Sequence, residues 1–337
     1  MTPEPERLRV VSGMRPTGKL HVGHLHGALK SWLRLAEAHE CFFFSADWHA
    51  LTTDYATPGE MKLAEREMVA DWLALGLDPN KVTIFVQSRV KQHAELALLF
   101  GMITPVPWLE RVPTYKEQQQ NLAGKDLSTY GFLGYPLLQA ADVAVYRANA
   151  VPVGQDQVAH LELSREIVRR FNHLYAPEGG PRLLPEPQPL LTEIPKILGL
   201  DGRKMSKSFN NAILLGEAEE SARKRIMSAV TDPQRVRRND PGNPEVCPIF
   251  YLHKAYSPPE TVELVDRECR TAGIGCVDCK KQLLVSLLPA LEKHRLARVE
   301  VDKSPERIDQ VLETGARKAA EVAERTMQDV RRAMKLE

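Results

Sequence analysis

Short apolar, β-branched segments alternate with helical segments through the first half of the chain. Residues 9–13 (RVVSG) have the pattern of a buried strand, a glycine- and proline-containing loop follows, and apolar positions with a helical period run over 21–38. The same criteria predict strands over 41–46, 82–86 and 151–154, and helices over 58–75, 136–145 and 157–172. Strands joined through helices of this length pair in parallel, so the predicted fold class is α/β with a doubly wound parallel sheet.

A dense set of prolines and glycines between residues 179 and 197 marks the end of this unit. The later pattern is helical, with a turn over 239–248 and a final helix that starts at Ser304-Pro305. We therefore expect three parts. These are an α/β domain over 1–197 with an insertion at about 105–135, a helical domain over 198–303, and a C-terminal helix over 304–337 that packs back on the chain.

Composition limits the class of protein. The chain has 337 residues, 43% hydrophobic and 26% charged, as in soluble globular proteins with two cores. Its apolar runs are far shorter than the roughly 20 residues of a membrane span, and the charged N-terminus lacks an apolar signal region, so we expect no membrane contact and a cytoplasmic location.

Although the net charge is only +1, residues 203–238 hold nine Lys and Arg against four acids. Such a patch can contact nucleic-acid phosphates or be a solvated helix face.

The loop over 13–18 leads into a helix that begins with His21-Val22-Gly23-His24. Unpaired N–H groups and the helix dipole favour an anion at such a start. Neither GxGxxG nor GxxxxGK[ST] occurs, which argues against a dinucleotide-binding dehydrogenase and a P-loop enzyme. Taken alone, this tetrapeptide favours the interpretation of His21, His24 and His26 as ordinary helix histidines over a functional one, and a zinc pair is disfavoured because no Glu or third ligand accompanies them.

A second motif, Lys204-Met205-Ser206-Lys207-Ser208, can bring two ammonium groups to one polyphosphate. In this order, HxGH and KMSKS together resemble class I aminoacyl-tRNA synthetases. Four more segments are similar, in order and spacing, to tryptophanyl-tRNA synthetases: 12–18 (SGMRPTG), 108–116 (WLERVPTYK), 135–142 (YPLLQAAD) and 151–157 (VPVGQDQ). Many members of that family have TIGN in place of HVGH and Gln in place of Arg15, which leaves the contribution of Arg15 open.

The resemblance implies a Rossmann-like catalytic domain, an all-helical anticodon-binding domain and activation of tryptophan with ATP and Mg²⁺. Tryptophanyl-adenylate and pyrophosphate form, and tryptophan then passes to the terminal adenosine of tRNA(Trp). The catalytic residues implied are His21, His24, Lys204 and Lys207. The implied ATP-binding residues are Arg15, Pro16, Thr17, Gly23, His24, Gly154, Gln155, Asp156, Lys204, Met205, Ser206, Lys207 and Ser208. The implied tryptophan-binding residues are Asp142, Gln157, Tyr135, Gln139, Val11 and His49.

Asp142 is the residue that the resemblance assigns to the indole N–H. The physical chemistry agrees, since indole is only a donor and a phenylalanine in its place would leave the carboxylate unpaired. Tyrosine could donate as well, but its hydroxyl lies farther along the ring axis, so pocket shape must help to reject it. A helix-capping or ion-paired aspartate is the structural alternative.

Four of the five cysteines lie in the second half, at 247, 269, 276 and 279, whereas Cys41 stands among phenylalanines as a core thiol. Chemistry alone favours zinc for the spacing of Cys247, Cys269, Cys276 and Cys279. The array nevertheless resembles that of a bacterial subset of tryptophanyl-tRNA synthetases with a [4Fe-4S] cluster, which we take as the first interpretation, with zinc and unmetallated thiols as alternatives. Its expected task is to hold the anticodon-facing region in shape.

The rival functions are a tyrosine–tRNA ligase, a catalytically inactive synthetase-like RNA-binding regulator and a small-molecule adenylyltransferase. The segment over 135–142 and the cysteine array argue against the first, and the intact HVGH and KMSKS motifs argue against the second. The third would leave the helical domain without a role. The segment over 108–116 resembles the part of the family fold near its dimer contact, so a homodimer is expected.

Overall fold

Among the residues that the structure describes, five parallel strands form one sheet in the order β3-β2-β1-β4-β5. The computed structural model describes residues 7–112, 128–154, 157–191 and 197–337. The strands are β1 (Arg9–Met14), β2 (Glu40–Ser45), β3 (Thr83–Val86), β4 (Ala150–Val153) and β5 (Gln188–Leu191). The parallel pairing and this strand order confirm the predicted Rossmann-like, doubly wound fold.

Helices connect the strands and continue beyond the sheet. They are α1 (Val22–His24), which passes through a π-helical turn (Leu25–Leu29) into α2 (Lys30–Ala38), then α3 (Asp47–Asp54), α4 (Met61–Ala74), α5 (Gln92–Ile103), α6 (Val106–Glu110), α7 (Tyr130–Ala144), α8 (Val158–Tyr175), α9 (Glu219–Ser228), α10 (Pro248–Tyr256), α11 (Pro259–Arg270), α12 (Cys276–Asp302) and α13 (Pro305–Ala333). In the described ranges no helix is long and apolar enough to cross a membrane.

Successive side chains of the central strands enter two different cores. Val10 and Phe43 face one side of the sheet, where Trp32 stacks on Phe43 with ring centroids 4.3 Å apart. Val11 and Phe42 face the other side. Because neighbouring strand residues point to opposite faces, a continuously apolar strand is buried on both faces, as a parallel sheet requires.

The segment predicted as a domain connection contains an edge strand. β5 pairs with β4 in register from Gln188 opposite Ala150 to Leu191 opposite Val153. Pro189 lies within β5, and proline is tolerated there because an edge strand has one side without a ladder partner. The sequence analysis did not predict this strand because its prolines are typical of a loop. It also did not predict the short helix α3, whose apolar residues have only a weak helical period.

Helix α7 begins at Tyr130, six residues before the predicted start at Pro136, which lies inside the helix. The Thr129 side chain caps it by accepting a hydrogen bond from the Phe132 N–H. Most of the expected insertion at about 105–135 lies outside the described residues, which include only α6 and the start of α7 from this segment.

Helix α13 packs directly on β3. A Cβ added at Gly315 would lie 1.8 Å from the carbonyl oxygen of Ile84, so the helix backbone touches the strand backbone. The apolar stripe of α13 is buried on the same side, with Ala319, Ala323 and Met327 fully enclosed. The C-terminal helix therefore covers the sheet beside β3.

Candidate active site

A cavity of about 420 Å³ lies at the carboxyl ends of β1 and β4. The strand order reverses between these two strands, and open α/β sheets bind their ligands at that point. Eight residues assigned to substrates from sequence line this cavity: Val11, Arg15, His49, Tyr135, Gln139, Asp142, Gly154 and Gln157. The fold thus brings together residues that are up to 146 positions apart in the chain. Gln155 and Asp156 lie outside the described residues.

Asp142 is buried in the wall of this cavity and already has three hydrogen-bond partners. Its Oδ2 accepts from Nε2 of His49 at 2.7 Å, and its Oδ1 accepts from Nε2 of Gln87 at 2.7 Å and from Nδ1 of His93 at 2.6 Å. Burial alone would raise the pKa of this carboxyl, but the charge and hydrogen bond of His49 and those of His93 lower it to about 2. Asp142 is therefore a charged acceptor at neutral pH.

His93 and Gln87 are site residues that the sequence analysis missed. His93 is fully buried, and its second ring nitrogen lies 2.6 Å from the hydroxyl of Tyr146. Both residues follow β3, and a polar residue at the carboxyl end of a buried strand was the available signal. The cavity wall also contains residues without a sequence assignment, including Gly27, Thr52, Phe132 and His160.

Arg15 lies at the edge of the cavity and is held by α3. Its Nη2 donates to Oδ2 of Asp54 at 2.9 Å and to the hydroxyl of Thr53. Burial lowers the pKa of Arg15, and the Asp54 charge opposes that change. Pro16 and Thr17 follow in the loop and are not among the cavity-lining residues.

The two histidines of HVGH are stacked at the start of α1, with ring centroids 3.7 Å apart. Burial and, to a lesser degree, the Lys207 charge lower the pKa of His21 to about 4. Burial, then His21 and Lys207, lower that of His24 to about 3, so both rings are neutral at pH 7. Nδ1 of His24 accepts from the His21 N–H at 3.2 Å, which leaves Nε2–H of His24 as a donor. A Cβ at Gly23 would lie 2.9 Å from the His21 ring, so the stack requires glycine there.

Backbone pairing brings KMSKS beside HVGH. The Val22 N–H donates to the carbonyl of Ile213 at 2.9 Å, and the Leu215 N–H donates to that of Leu20 at 2.9 Å. As a result Nζ of Lys207 reaches the Lys19 carbonyl at 3.0 Å, directly over the 13–18 loop. Residues 213–215, which follow the lysine motif, thus pair with residues 20–22 at the start of the histidine motif.

The KMSKS loop has one buried side chain, Met205, and two exposed lysines, Lys204 and Lys207. Met205 is buried, Ser206 caps a short 3₁₀ turn over 207–209 by accepting from the Ser208 N–H, and the Lys204 and Lys207 side chains are exposed. Asn211, which sequence analysis did not single out, accepts from the Ser206 N–H at 2.7 Å and donates to the Lys204 carbonyl at 3.0 Å. This amide thus links Lys204 to Ser206 within the motif.

Comparison with known proteins gives one family. A family model described as tRNA synthetases class I (W and Y) matches residues 4–292. The tryptophan–tRNA ligase of Thermotoga maritima is 54% identical over 98% of this chain and 99% of its own length, and that of Aquifex aeolicus is 44% identical over 98% and 100%. The chain belongs to the tryptophanyl-tRNA synthetases of class I. The crystal structure of the Campylobacter jejuni tryptophanyl-tRNA synthetase complexed with ADP and tryptophan is 30% identical, with a TM-score of 0.83 over 97% of this chain and 100% of that one.

All four cysteines of the array line one small cavity in this synthetase, of about 20 Å³. They lie at the N-terminal ends of α10 and α12 and near the end of α11. Burial raises the pKa of Cys247, Cys269 and Cys279, and neighbouring thiols add to the increase for each. In the described part of the chain, however, no three His, Cys, Asp or Glu side chains lie close enough together to hold a metal ion.

Proposed function

We propose that this synthetase is a tryptophan–tRNA ligase. A carboxylate oxygen of L-tryptophan attacks the α-phosphorus of ATP, the bond to the β-phosphate breaks, and pyrophosphate leaves. A ribose hydroxyl of the terminal adenosine of tRNA(Trp) then attacks the carbonyl of the adenylate, and AMP leaves as the hydroxyl loses its proton. We place this reaction in the cytoplasm.

The buried carboxylate of Asp142 in the cavity wall is the observation that carries this proposal. A carboxylate has about four acceptor positions, and three are taken by His49, Gln87 and His93. The indole N–H takes the remaining position, and the three partners keep the group charged and oriented. Of these partners, the His49 side chain is 14% exposed and His93 is fully enclosed, so His49 can adjust when tryptophan enters.

We assign the phosphates of ATP to HVGH and KMSKS. Because His21 and His24 are neutral, they serve as hydrogen-bond donors, and the positive charge on the protein side comes from Lys204 and Lys207. Mg²⁺ bound to ATP supplies further charge neutralisation. Gly154 and Asp156 are assigned to the ribose, and Tyr135, Gln139 and Gln157 to the ammonium and carboxylate of tryptophan.

Tryptophan-dependent exchange of pyrophosphate into ATP tests this function. We expect exchange with tryptophan at a rate far above that with tyrosine, since tyrosine cannot donate at the position of the indole nitrogen. Exchange that is absent with tryptophan, or equal with tyrosine, would rule out the proposal. The tyrosine alternative is disfavoured because the relatives with high identity are tryptophan–tRNA ligases.

We assign residues 198–303 to tRNA binding, with the anticodon read by the helical part. Several basic residues of the 203–238 segment have structural partners: Arg225 donates to the Ala212 carbonyl at 2.7 Å, and Arg235 to the Ile274 carbonyl at 2.7 Å. We assign phosphate contact to the exposed side chains of Arg223, Lys224, Arg237 and Arg238, of which Arg223 also pairs with Glu219 and Arg238 with Asp278. The division at residue 197 remains our proposal.

We also propose a homodimer. An apolar groove between α3, α5 and α7 is bordered by large exposed side chains, with Leu98 58% and Tyr130 75% exposed. Exposed apolar area of this kind is typical of a surface that a partner covers. Sedimentation of the full chain tests this, with a mass of twice 37.9 kDa expected and a monomer at micromolar concentration counting against it.

We propose that Cys247, Cys269, Cys276 and Cys279 bind a [4Fe-4S] cluster, with one zinc ion as the alternative. All four thiols line one small cavity, and cysteine thiolates are the ligands of such a cluster. When bound, the cluster would cross-link α10, α11 and α12.

Iron and sulfide analysis with visible absorbance tests the array in anaerobically purified protein. We expect about four irons per chain. Cys279→Ser should lower the iron content, whereas Cys41→Ser, which removes a buried thiol outside the array, should not. One zinc per chain, or iron retained in Cys279→Ser, would contradict the cluster.

A further inference from the structure

Asp71 is a buried carboxylate of α4 directly beneath the HVGH motif. Its side chain is 4% exposed, and Oδ2 accepts from the Leu20 N–H at 2.8 Å. Leu20 is the residue before His21, where α1 begins. The sequence analysis assigned no role to Asp71, and neither the tryptophan pocket nor the lysine loop includes it.

The other oxygen of Asp71 is held from α12. Oδ1 accepts from Nη1 of Arg298 at 2.7 Å and from Nε2 of His294 at 3.2 Å. Nη2 of Arg298 also donates to Oε2 of Glu67 at 3.0 Å, and its Nε to Asp302 at 2.9 Å. Arg298 is 14% exposed, so the ion pair with Asp71 is largely removed from water.

Helix α12 begins at the cysteine array, with Cys276 and Cys279 in its first turn. Arg298 lies on the same helix, about 28 Å along the axis from Cys279 at 1.5 Å per residue. One continuous element therefore has the cysteines at one end and the partners of Asp71 at the other. The hydrogen bonds of Asp71 thus link α12 to the backbone that enters α1.

The charge of Asp71 also acts on Lys207 and His24 at the proposed nucleotide site. Burial would raise the pKa of Asp71, but the hydrogen bonds from His294 and Leu20 and the Arg298 charge lower it, so the group is ionised at neutral pH. Burial lowers the pKa of both Lys207 and His24. The negative charge of Asp71 acts in the opposite direction and raises both pKa values. A buried ion pair is often no more stable than an apolar replacement, so its presence favours a specific geometric role.

We propose that Asp71 is a positioning residue for the nucleotide site. It holds the backbone that enters α1 through the Leu20 N–H. Arg298 and His294 of α12, the helix that also contains Cys276 and Cys279, hold the Asp71 side chain in position. The inference rests on the proposed ligase activity. It adds a physical connection between the tRNA-facing helices and the ATP motif.

Arg298→Met tests the proposal, with Asp302→Asn as the matched control because it removes the exposed partner of Arg298 and leaves Asp71 in place. In Arg298→Met we expect kcat for tryptophan-dependent exchange to fall at least tenfold or KM for ATP to rise at least tenfold. The Kd for tryptophan measured without ATP should stay within twofold. Arg298→Lys should restore part of the loss, since its single ammonium can pair with Asp71. Amide hydrogen exchange over residues 18–26 should accelerate in Arg298→Met and not in Asp302→Asn.

Two outcomes would overturn the inference. One is wild-type kcat and KM for ATP in Arg298→Met, and the other is a parallel loss of tryptophan binding and exchange, which marks a general folding defect. Asp71→Asn, which keeps an acceptor for Leu20 but removes the charge, should show the same separation of ATP from tryptophan. If the wild-type chain itself gives no exchange with tryptophan, the proposed function fails instead.

Discussion

The side chains of the candidate site differ in charge. His21 and His24 are neutral donors, Lys207 brings an exposed ammonium to the 13–18 loop, and Asp142 is a buried acceptor with fixed partners. In the proposed reaction Lys207 is assigned to the charge that develops on the phosphates, and Asp142 is assigned to the bound amino acid. The two roles predict separable kinetic effects.

Lys207→Ala should lower kcat for pyrophosphate exchange by about 10²- to 10³-fold, the usual effect of losing one charge-stabilising donor. Kd for tryptophan should change less than twofold, as measured by equilibrium dialysis without ATP. Lys81→Ala, which removes an exposed lysine paired with Glu37, is the control and should be silent. Equal losses in rate and tryptophan affinity would refute the assignment.

Asp142→Asn should weaken tryptophan binding about 100-fold, because the amide loses the charge and its NH₂ opposes the donors of His93 and Gln87. KM for ATP should remain within threefold. The measurement is dialysis with labelled tryptophan, beside thermal unfolding to establish that the variant is folded. Unchanged affinity in a folded variant would mean that another group accepts from the indole.

At the scale of elements, close backbone contacts decide what packs where. Helix α13 reaches β3 only because Gly315 has no side chain, and α1 can stack His21 on His24 only because Gly23 has none. Helical periodicity predicted the buried stripe of α13, but periodicity contains no information on which strand that stripe covers. The partner is set by the order of the sheet.

Gly315→Ala should lower the free energy of unfolding by about 2–3 kcal/mol, since the added methyl overlaps backbone that cannot move away like a flexible side chain. Gly27→Ala is the control, because it is a helical glycine whose Cβ meets nothing within 4 Å. It should change stability by less than about 1 kcal/mol, toward a more stable helix. Urea denaturation measures both, and similar values for the two variants would disprove the backbone contact.

At the scale of the whole molecule, the HVGH helix is buried between the sheet and the helices beyond residue 197. His21, His24 and His26 are desolvated together, and burial lowers the pKa of His26 to about 4, with a smaller contribution from Lys30. Burial of this helix, more than the neighbouring charges of Lys207 and Lys30, thus keeps the three histidines neutral.

These histidines predict how stability depends on pH. Their pKa values are near 6.5 when unfolded and near 3 to 4 when folded, so between pH 6.5 and 4 the unfolded chain binds more protons. Stability should therefore be fully present above pH 6.5 and should fall as the pH is lowered through this window. Urea titrations at pH 7, 6 and 5 measure the slope. His26→Leu, which removes a buried ring with an unpaired Nε2, should make it shallower, and an unchanged slope would contradict burial as the cause.

Sequence alone determined the parallel α/β sheet, the family, and eight of the residues that line the cavity at β1 and β4. These follow from local period, motif spacing and resemblance, all of which can be read along the chain. The tertiary structure decided the partners: His93 and Gln87 on Asp142, Asn211 beneath the lysine motif, β5 within a proline-rich segment, and Arg298 on Asp71. Such contacts join residues that are distant in the chain, and they are selected by packing, burial and charge compensation, which no local pattern encodes.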